Sequence, residues 1–473
     1  MPGWWAGAAG QHIGRMAWKR LPVGARLPTA IGMTVITRFA PSPTGRLHVG
    51  NIRTALHNWM FARANGGKFV LRIDDTDPER SEERFVDAIR ADLDWLGMTP
   101  DAEERQSARF ALYESRFAAL VASGHVYPAY ETTQELDLKR KIQAGRGLPP
   151  IYGRAALALD DAQRAKLEAD GVRPHWRFKL DHDSAIDWDD LIRGSQHFEA
   201  RTMSDPVVRR ADGSWLYMLP SAIDDAEMGV THVVRGEDHV SNTALQLQMF
   251  AALGVAPPRF AHEALLTGAE GKLSKRLGSL GVDHFREVGI EPQAVRALLA
   301  RIGTSDPVEP IADAAPLIAG FDFARFGRAP ARFDEAELAQ LNARILHALP
   351  YDDVATRLPA GMGAAAWEAV RPNLVTLADA ADWWSVIEGP IAVEGDTDVA
   401  YLDSVVAAAR AIDWSSDPWH ALTARLKDET GRKGKALFLP LRRALTGRDH
   451  GPDMAALLPL IGRERALERL AAR

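Results

Sequence analysis

The sequence predicts an α/β protein: a parallel-stranded, Rossmann-like nucleotide fold, split by an insertion and continued into an all-α C-terminal region. Three observations predict it. A strand–helix–strand pattern fills residues 35–73, and strand patterns return within 215–266 after an interruption. From about residue 278 the periodicity turns helical and rich in Ala, Leu and Arg.

Residues 35–39 alternate and are β-branched, which suits a buried strand. Pro41, Pro43 and Gly45 then force a loop. Val49, Ile52, Leu56, Met60 and Ala64 recur at helical spacing, so a helix is expected over 47–64, and Gly66-Gly67 stops it. Residues 68–73 read as a second strand, which completes a βαβ unit. Such a unit binds its ligand at the carboxyl ends of its strands, where His48 and Asp74 lie. A further helix is expected over 82–96, with Ser81 as N-cap and Gly97 past its end. Residues 106–201 break the pattern with short mixed elements and Pro149-Pro150, and read as an insertion between the halves of the nucleotide fold. Strands are then expected at 215–219, 230–235 and 260–266, with a helix over 242–253. Apolar periodicity predicts later helices over 292–302, 335–347 and 402–412.

At 473 residues the chain is too long for one core, and length alone points to ~3–4 domains. It has 0 cysteines, which excludes disulfides and thiolate metal sites and fits a reducing, cytoplasmic setting. No run reaches the ~18 apolar residues of a membrane span, so no membrane partner is expected. A net charge of -6 argues against a dedicated nucleic-acid binder. The C-terminal stretch is nevertheless basic, with Arg425, Lys427, Arg432, Lys433, Lys435, Arg442, Arg443 and Arg448. A basic face on an acidic protein suits an RNA that must leave after each turnover; the plain alternative is a solvated helical surface. Residues 1–32 contain no Asp or Glu and read as an N-terminal extension with little order of its own, ending just before Met33.

Two distant patches are built to handle phosphate. His48-Val49-Gly50-Asn51 puts an imidazole beside a glycine at a helix start, where side chain and backbone can both meet an anionic oxygen. Lys272-Leu273-Ser274-Lys275-Arg276 supplies mobile positive charge for a polyphosphate leaving group. Taken singly, His48 could be an ordinary helix cap and the basic pentapeptide a solvated loop.

This pairing resembles the HIGH and KMSKS signatures of class I aminoacyl-tRNA synthetases. The wording around it, RFAPSPTGRLHVGN, LRIDDTD, THVVRGEDH and KLSKR, is similar to the glutamyl-tRNA synthetases of bacterial type. The likeness runs from Met33 to the C-terminus and is weakest over the insertion at 106–201. It implies a split Rossmann-like class I catalytic domain (33–105 and 202–277, the latter with the KLSKR loop) around an inserted acceptor-stem domain (106–201). A stem-contact region (278–330) and all-α anticodon-binding domains (331–473) would follow. The implied activity is ATP-dependent ligation of L-glutamate to tRNA(Glu) through a glutamyl-adenylate, with tRNA(Gln) left open as a second partner and a monomer expected.

The same resemblance assigns roles. His48, Lys272 and Lys275 would do the catalytic work on the phosphates, and Gly50, Asn51, Glu237, Asp238 and Ser274 would complete the ATP site. Mg²⁺ would accompany ATP, held by water and phosphate oxygens, with no metal site in the protein itself. Arg38 would take the side-chain carboxylate of glutamate through its planar fork, helped by Arg235. A plain salt bridge to one of Asp74, Asp75 or Asp77 is the other reading of Arg38. Asp74 would hold the ammonium; many members have the longer glutamate there, so water could bridge the gap. Ala40, Ser42 and Tyr217 would line the pocket, and Ser221 stands where asparagine or a similar polar residue is common.

Some relatives carry a zinc knuckle in the insertion. Here Ala129, Glu131 and Ala155 stand where ligands would fall, so no zinc is expected. The tail segments GRKGKALFLPLRRALTG and LIGRERALERL also match the family and would meet the anticodon stem and loop. Three rivals share parts of this pattern. A glutaminyl enzyme would end in β-barrels, a truncated queuosine-modifying relative would lack the C-terminal third, and a nucleotidyltransferase acting without RNA would have no use for the helical tail.

Overall fold

Residues 34–268, 271–272, 281–392 and 398–471 are described by the computed structural model. The expected extension at 1–32 and Leu273, Ser274, Lys275 and Arg276 of the basic loop lie outside them. Strand β1 (Ile36–Phe39), helix α1 (Val49–Ala64) and strand β2 (Lys68–Ile73) form the expected βαβ unit, and helix α2 (Glu83–Trp95) leads to β3 (Ala102–Arg105). The N-cap of α2 is Glu82, not Ser81, and it makes no side-chain cap bond. Ser81 instead closes a turn by donating its N–H to Asp77 O, while Glu82 N donates to Pro43 O. Gly97 lies past the helix end with φ +67°, a conformation that disfavours any side chain.

The chain continues as α3 (Phe110–Ala122), β4 (Val126–Ala129), α4 (Thr133–Gly145), α5 (Asp161–Ala169), β5 (His175–Phe178), the hairpin β6 (Ala185–Asp190) and β7 (Gly194–Glu199), and, past the expected end of the insertion at 201, β8 (Val207–Arg209). Strands β4, β5 and β8 make one antiparallel sheet, and the hairpin stands apart from it. Asp205 pins this sheet, accepting from Tyr127 Oη (2.6 Å), Arg154 Nε (2.8 Å) and Leu180 N (3.0 Å). Glu131 accepts from Tyr152 Oη at 3.0 Å.

The nucleotide fold resumes with α6 (Met218–Glu227), β9 (His232–Gly236), α7 (Val240–Ala252) and β10 (Arg259–Glu263). The strand expected at 215–219 is not there. Only Trp215 makes a bridge, to Arg209, and Tyr217 already caps α6. Two causes act together. Pro220 sits in the first turn, where a missing N–H costs nothing. Ser221, Asp224 and Asp225 also face Arg72, Arg109 and Arg38 together, which a helix allows and a strand's alternation forbids. The strand expected at 260–266 is likewise shorter: it ends at Glu263, and Leu266–Gly268 forms β11 of a separate small sheet with β12 (Gly271–Lys272).

All pairings in the main sheet are parallel, in the order β10-β9-β1-β2-β3. The chain therefore winds outward from β1 in one direction, and after the insertion outward from β9 in the other. The reversal lies between β1 and β9, and a crevice at their carboxyl ends is where such sheets take ligands. Arg38, His48, Asp74, Arg235 and Glu237 all belong to those ends or to the residues that follow them.

Beyond the basic loop the chain is helical: α8 (Val282–Glu287), α9 (Pro292–Arg301) and α10 (Ala314–Ala319), a two-residue strand β13 (Ala331–Arg332) parallel to β11, then α11 (Glu335–Leu346), α12 (Tyr351–Val354), α13 (Ala364–Val370), α14 (Asp379–Glu388), α15 (Val399–Ala411), α16 (Pro418–Thr430), α17 (Lys435–Thr446), α18 (Met454–Ile461) and α19 (Arg463–Ala471). Trp383 and Trp419 are buried in the helical core. None of the described helices is long and apolar enough to cross a membrane.

The last helix is clamped from within. Arg469 donates to Leu445 O (2.8 Å), Ile387 O (3.1 Å) and Gly389 O (2.7 Å), so one guanidinium serves carbonyls at the ends of α14 and α17. Truncation leaves Leu445 O and Gly389 O without this donor, while Ile387 O keeps Arg465 Nη1 at 2.9 Å, and Arg469→Ala is expected to cost ~2–4 kcal/mol. Urea unfolding followed by tryptophan fluorescence measures this; a change within experimental error contradicts the clamp.

Candidate active site

The start of α1 is shaped by His48 itself. Its Nδ1 accepts from Gly50 N at 3.1 Å, and its own N–H donates to Asn51 Oδ1 at 3.3 Å. A ring nitrogen that accepts carries no proton, so the neutral ring holds its proton on Nε2. Burial keeps His48 below the usual histidine range, which favours that neutral form. The helix cap and the phosphate ligand are thus compatible roles, one for each ring nitrogen. Nε2–H is left to donate to an anionic oxygen at the helix start. A Cβ at Gly50 would come within 2.9 Å of His48 Cε1, so position 50 must stay bare.

The far end of the basic loop returns to this helix start. Gly281 makes an antiparallel bridge with His48, and Arg46 pairs with Asp283 at 3.1 Å. Lys272, at the near end, is paired with Thr267 in β12. Ser274 and Lys275 lie between these two anchors in sequence and outside the described residues.

Across the crevice stands a buried network of charge. Arg38 donates from Nε to Asp225 Oδ1 (3.0 Å) and from Nη2 to Oδ2 (3.4 Å). Its carboxylate partner is therefore Asp225 of α6, and none of Asp74, Asp75 or Asp77. Arg72 reaches three groups: Asp74 through Nε and Nη2 (2.6 and 3.0 Å), Asp225 through Nη1 (2.9 Å) and Ser221 Oγ through Nη2 (3.1 Å). Burial pushes the Asp74 carboxyl up, against the pull of Arg72. Burial also pushes Asp225 up, but Arg38 and Arg72 outweigh it and hold the carboxyl below its ordinary range. Asp224 is covered separately by Arg109 Nε (2.7 Å), Gln106 Nε2 (2.9 Å) and Tyr113 Oη (2.7 Å).

Arg235 is of another kind. It is buried, and among the described residues its hydrogen-bond partners are all neutral: Thr243 Oγ1 (2.5 Å), Gln246 Oε1 (2.8 Å) and His262 Nε2 (3.3 Å). Burial, with the nearby Arg38 cation, lowers it to about 10. Its Nη1 edge has no partner among the described residues. A desolvated guanidinium with an open edge, beside a second guanidinium, is arranged for an anion.

The remaining expected residues fall around this pair. Tyr217 is exposed by 40%, accepts a hydrogen bond from Asn242 Nδ2, and meets the His239 ring edge-on at 6.3 Å. Ala40 and Ser42 lie on the loop between β1 and α1, whose Pro41 O accepts from Asp74 N at 3.0 Å. Ser221 is buried beneath Arg72, so its hydroxyl is already engaged by the protein. Glu237 accepts from Arg193 Nη1 (2.5 Å) and Leu265 N (3.2 Å), while Asp238 lies 3.8 Å from His239 Nε2.

Sequence reasoning missed Arg72, Asp225, Asn242 and His262 as members of this site. The signal for Asp225 was present in the spacing of Ser221, Asp224 and Asp225, but reading 215–219 as a strand hid it. His262 carries no motif at all.

Similarity to known proteins agrees with this architecture. Residues 34–340 match the family model of tRNA synthetases class I (E and Q), catalytic domain, and residues 343–473 match the anticodon binding domain. Over 93% of this chain and 99% of that protein, the sequence is 72% identical to glutamate–tRNA ligase 1 of Rhizorhabdus wittichii. It is 67% identical to glutamate–tRNA ligase 1 of Novosphingobium aromaticivorans, across 93% of this chain and the whole of the other (100%). The crystal structure of a glutamate tRNA ligase from Elizabethkingia meningosepticum in complex with its amino acid superposes with a TM-score of 0.81 at 27% identity, covering 93% of this chain and 98% of that one. The chain belongs to the tRNA synthetases class I (E and Q).

Proposed function

We propose that the chain ligates L-glutamate to tRNA(Glu) with ATP, releasing AMP and diphosphate. An α-carboxylate oxygen of glutamate attacks the α-phosphorus of ATP, the bond to the bridging oxygen breaks, and diphosphate leaves a glutamyl-adenylate. A hydroxyl of the terminal tRNA ribose then attacks the carbonyl carbon, and AMP leaves as the ester forms. ATP enters as its Mg²⁺ complex. The observation that carries the substrate assignment is the buried Arg235, hydrogen-bonded among the described residues only to neutral groups and lying beside Arg38.

In this reading Asp225 occupies Nε and Nη2 of Arg38 and so aims its Nη1 edge at the side-chain carboxylate of glutamate, with Arg235 Nη1 converging on the acidic groups. Asp74 faces the ammonium, Tyr217, Ala40 and Ser42 wall the pocket, and Ser221 acts through Arg72. His48 Nε2–H, with Gly50 and Asn51 at the helix start, meets the phosphates; Lys272, Ser274 and Lys275 draw off charge as diphosphate departs. Glu237 and Asp238 border the ribose and adenine side. Residues 106–201 serve the acceptor end of the tRNA, 278–330 the stem and 331–473 the anticodon, in a cytoplasmic monomer. Whether tRNA(Gln) is a second substrate is the open branch of this assignment.

Charging assays with purified tRNA(Glu) and tRNA(Gln), each with glutamate or glutamine, test the assignment directly. Glutamate on tRNA(Glu) is the expected product, and glutamine attached in its place refutes the pocket. Lys275→Ala should slow activation ~100-fold or more while leaving tRNA affinity near wild type. Activation that survives intact removes the basic loop from the mechanism. For Arg38→Gln, the KM for glutamate should rise ~100-fold or more with the KM for ATP within a few-fold. An equal loss of both contradicts the carboxylate role.

A further inference from the structure

Arg235 needs a fixed position and a counter-charge, yet among the described residues no carboxylate touches it. The structure supplies both at one remove. His262 sits on β10, fully buried, with Nδ1 2.5 Å from Asp190 Oδ2 and Nε2 3.3 Å from Arg235 Nε. The other oxygen of Asp190 accepts three backbone N–H groups, from His262 (3.1 Å), Ile192 (3.0 Å) and Arg193 (2.9 Å). Burial pushes the Asp190 carboxyl up, but these donors and His262 outweigh it and keep it ionised. A carboxylate so held can only accept, so His262 must present Nδ1–H to it and a bare Nε2 to Arg235. Burial keeps the imidazole neutral. Thr243 Oγ1, 2.8 Å from the same Nε2, closes the group.

We propose that Asp190 and His262 are positioning residues for the substrate carboxylate: through a neutral imidazole they lock Arg235 in place, so that its free Nη1 edge meets the substrate as an unneutralised cation. This rests on the reading that Arg235 binds the acidic groups of glutamate. A carboxylate placed directly on Arg235 would fix it equally well but would take the fork the substrate needs. An apolar neighbour would leave the fork free and the guanidinium loose. Imidazole between the two passes orientation without spending the charge. The anchor is also remote in sequence: Asp190 ends β6 of the inserted hairpin, which docks on β10 where Leu191 N donates to Phe260 O at 2.9 Å. The same turn sends Arg193 to Glu237. The insertion thus carries a strut of the amino-acid pocket.

The test is steady-state activation, measured as tRNA-dependent ATP–diphosphate exchange, on the full chain. His262→Leu and Asp190→Asn should each raise the KM for glutamate ~10–100-fold with the KM for ATP within twofold, because Arg235 loses its acceptor or faces the wrong tautomer. His262→Gln, whose amide oxygen can accept in place of Nε2, should recover most of the loss. An unchanged glutamate KM in His262→Leu, or equal increases for glutamate and ATP, overturns the proposal. Arg235→Gln separates the two layers. If it raises the glutamate KM and His262→Leu does not, the strut is wrong and the pocket stands; if Arg235→Gln also changes nothing, the pocket assignment itself fails. Should a His262 variant not fold, ¹⁵N-histidine NMR of the wild type, with His262→Gln or Asp190→Asn to assign the signal, still decides. A neutral Nδ1–H tautomer at pH 7 supports the strut, and an Nε2–H tautomer or a charged ring refutes it.

Discussion

Asp225 accepts from two guanidiniums at once, Arg38 of β1 and Arg72 of β2, and both strands are held to α6 by that shared carboxylate. All three groups are almost wholly buried. Deleting one partner of such a cluster strands a charge without compensation, typically at ~3–5 kcal/mol, whereas replacing the whole cluster by apolar residues is often neutral. Stability alone therefore does not explain why charge is kept here. What an apolar floor could not supply is a guanidinium fixed at a strand end with one edge unspent. The network fixes the geometry of the crevice first and its stability second.

That constraint also explains which parts of the molecule were legible in its sequence. The βαβ unit was legible because apolar spacing, Pro41, Pro43 and Gly66-Gly67 mark every border locally. The helices over 292–302, 335–347 and 402–412 were legible from apolar spacing of the same kind. α6 was not, because its helicity is set by partners more than a hundred residues away: Asp224 meets Arg109, and Asp225 meets Arg38. Tertiary demand overrode the strand-like reading of Trp215 and its neighbours. In the site, residues inside motifs were visible as types, but their partners were not. Arg38 was visible and Asp225 was not; Arg235 was visible and His262 was not. A buried histidine on an apolar strand gives no pattern until the fold brings Asp190 to it.

The outer parts of the chain lean on the catalytic core through polar contacts of the same kind. Asp92 of α2 pairs with Arg286 of α8 at 2.9 Å, and burial raises the carboxyl to about 6 against that pairing. His57 of α1 joins Glu263 at the end of β10 (2.7 Å) and the carbonyl of Leu299 in α9 (3.1 Å). Asn342 of α11 accepts from Glu291 N (2.7 Å) and donates to Val375 O (2.7 Å). Each contact joins the helix that begins at His48, or its neighbours, to helices nearer the C-terminus. The helix start proposed to meet phosphate is thereby braced from behind by hydrogen-bonded side chains.

Under the proposed assignment of Arg38 and Arg235 to the substrate's acidic groups, selection of glutamate over glutamine follows from where charge is neutralised. Glutamine differs by one amide nitrogen, whose hydrogens would point at donors on Arg38 and Arg235 and leave those donors unpaired in a dry crevice. The discrimination is strong only if both guanidiniums arrive charged and inflexible. Asp225 does this for Arg38 by taking two of its nitrogens and leaving the third. Thr243, Gln246 and His262 do it for Arg235 with no formal negative charge in contact among the described residues. A pocket that paired both arginines directly with acids would accept the neutral amide almost as readily, since little net positive charge would be left to reward the carboxylate. In the proposed pocket, the asymmetry between the two arginines, one paired and one propped by neutral groups, is the feature that would make the crevice specific for an acid.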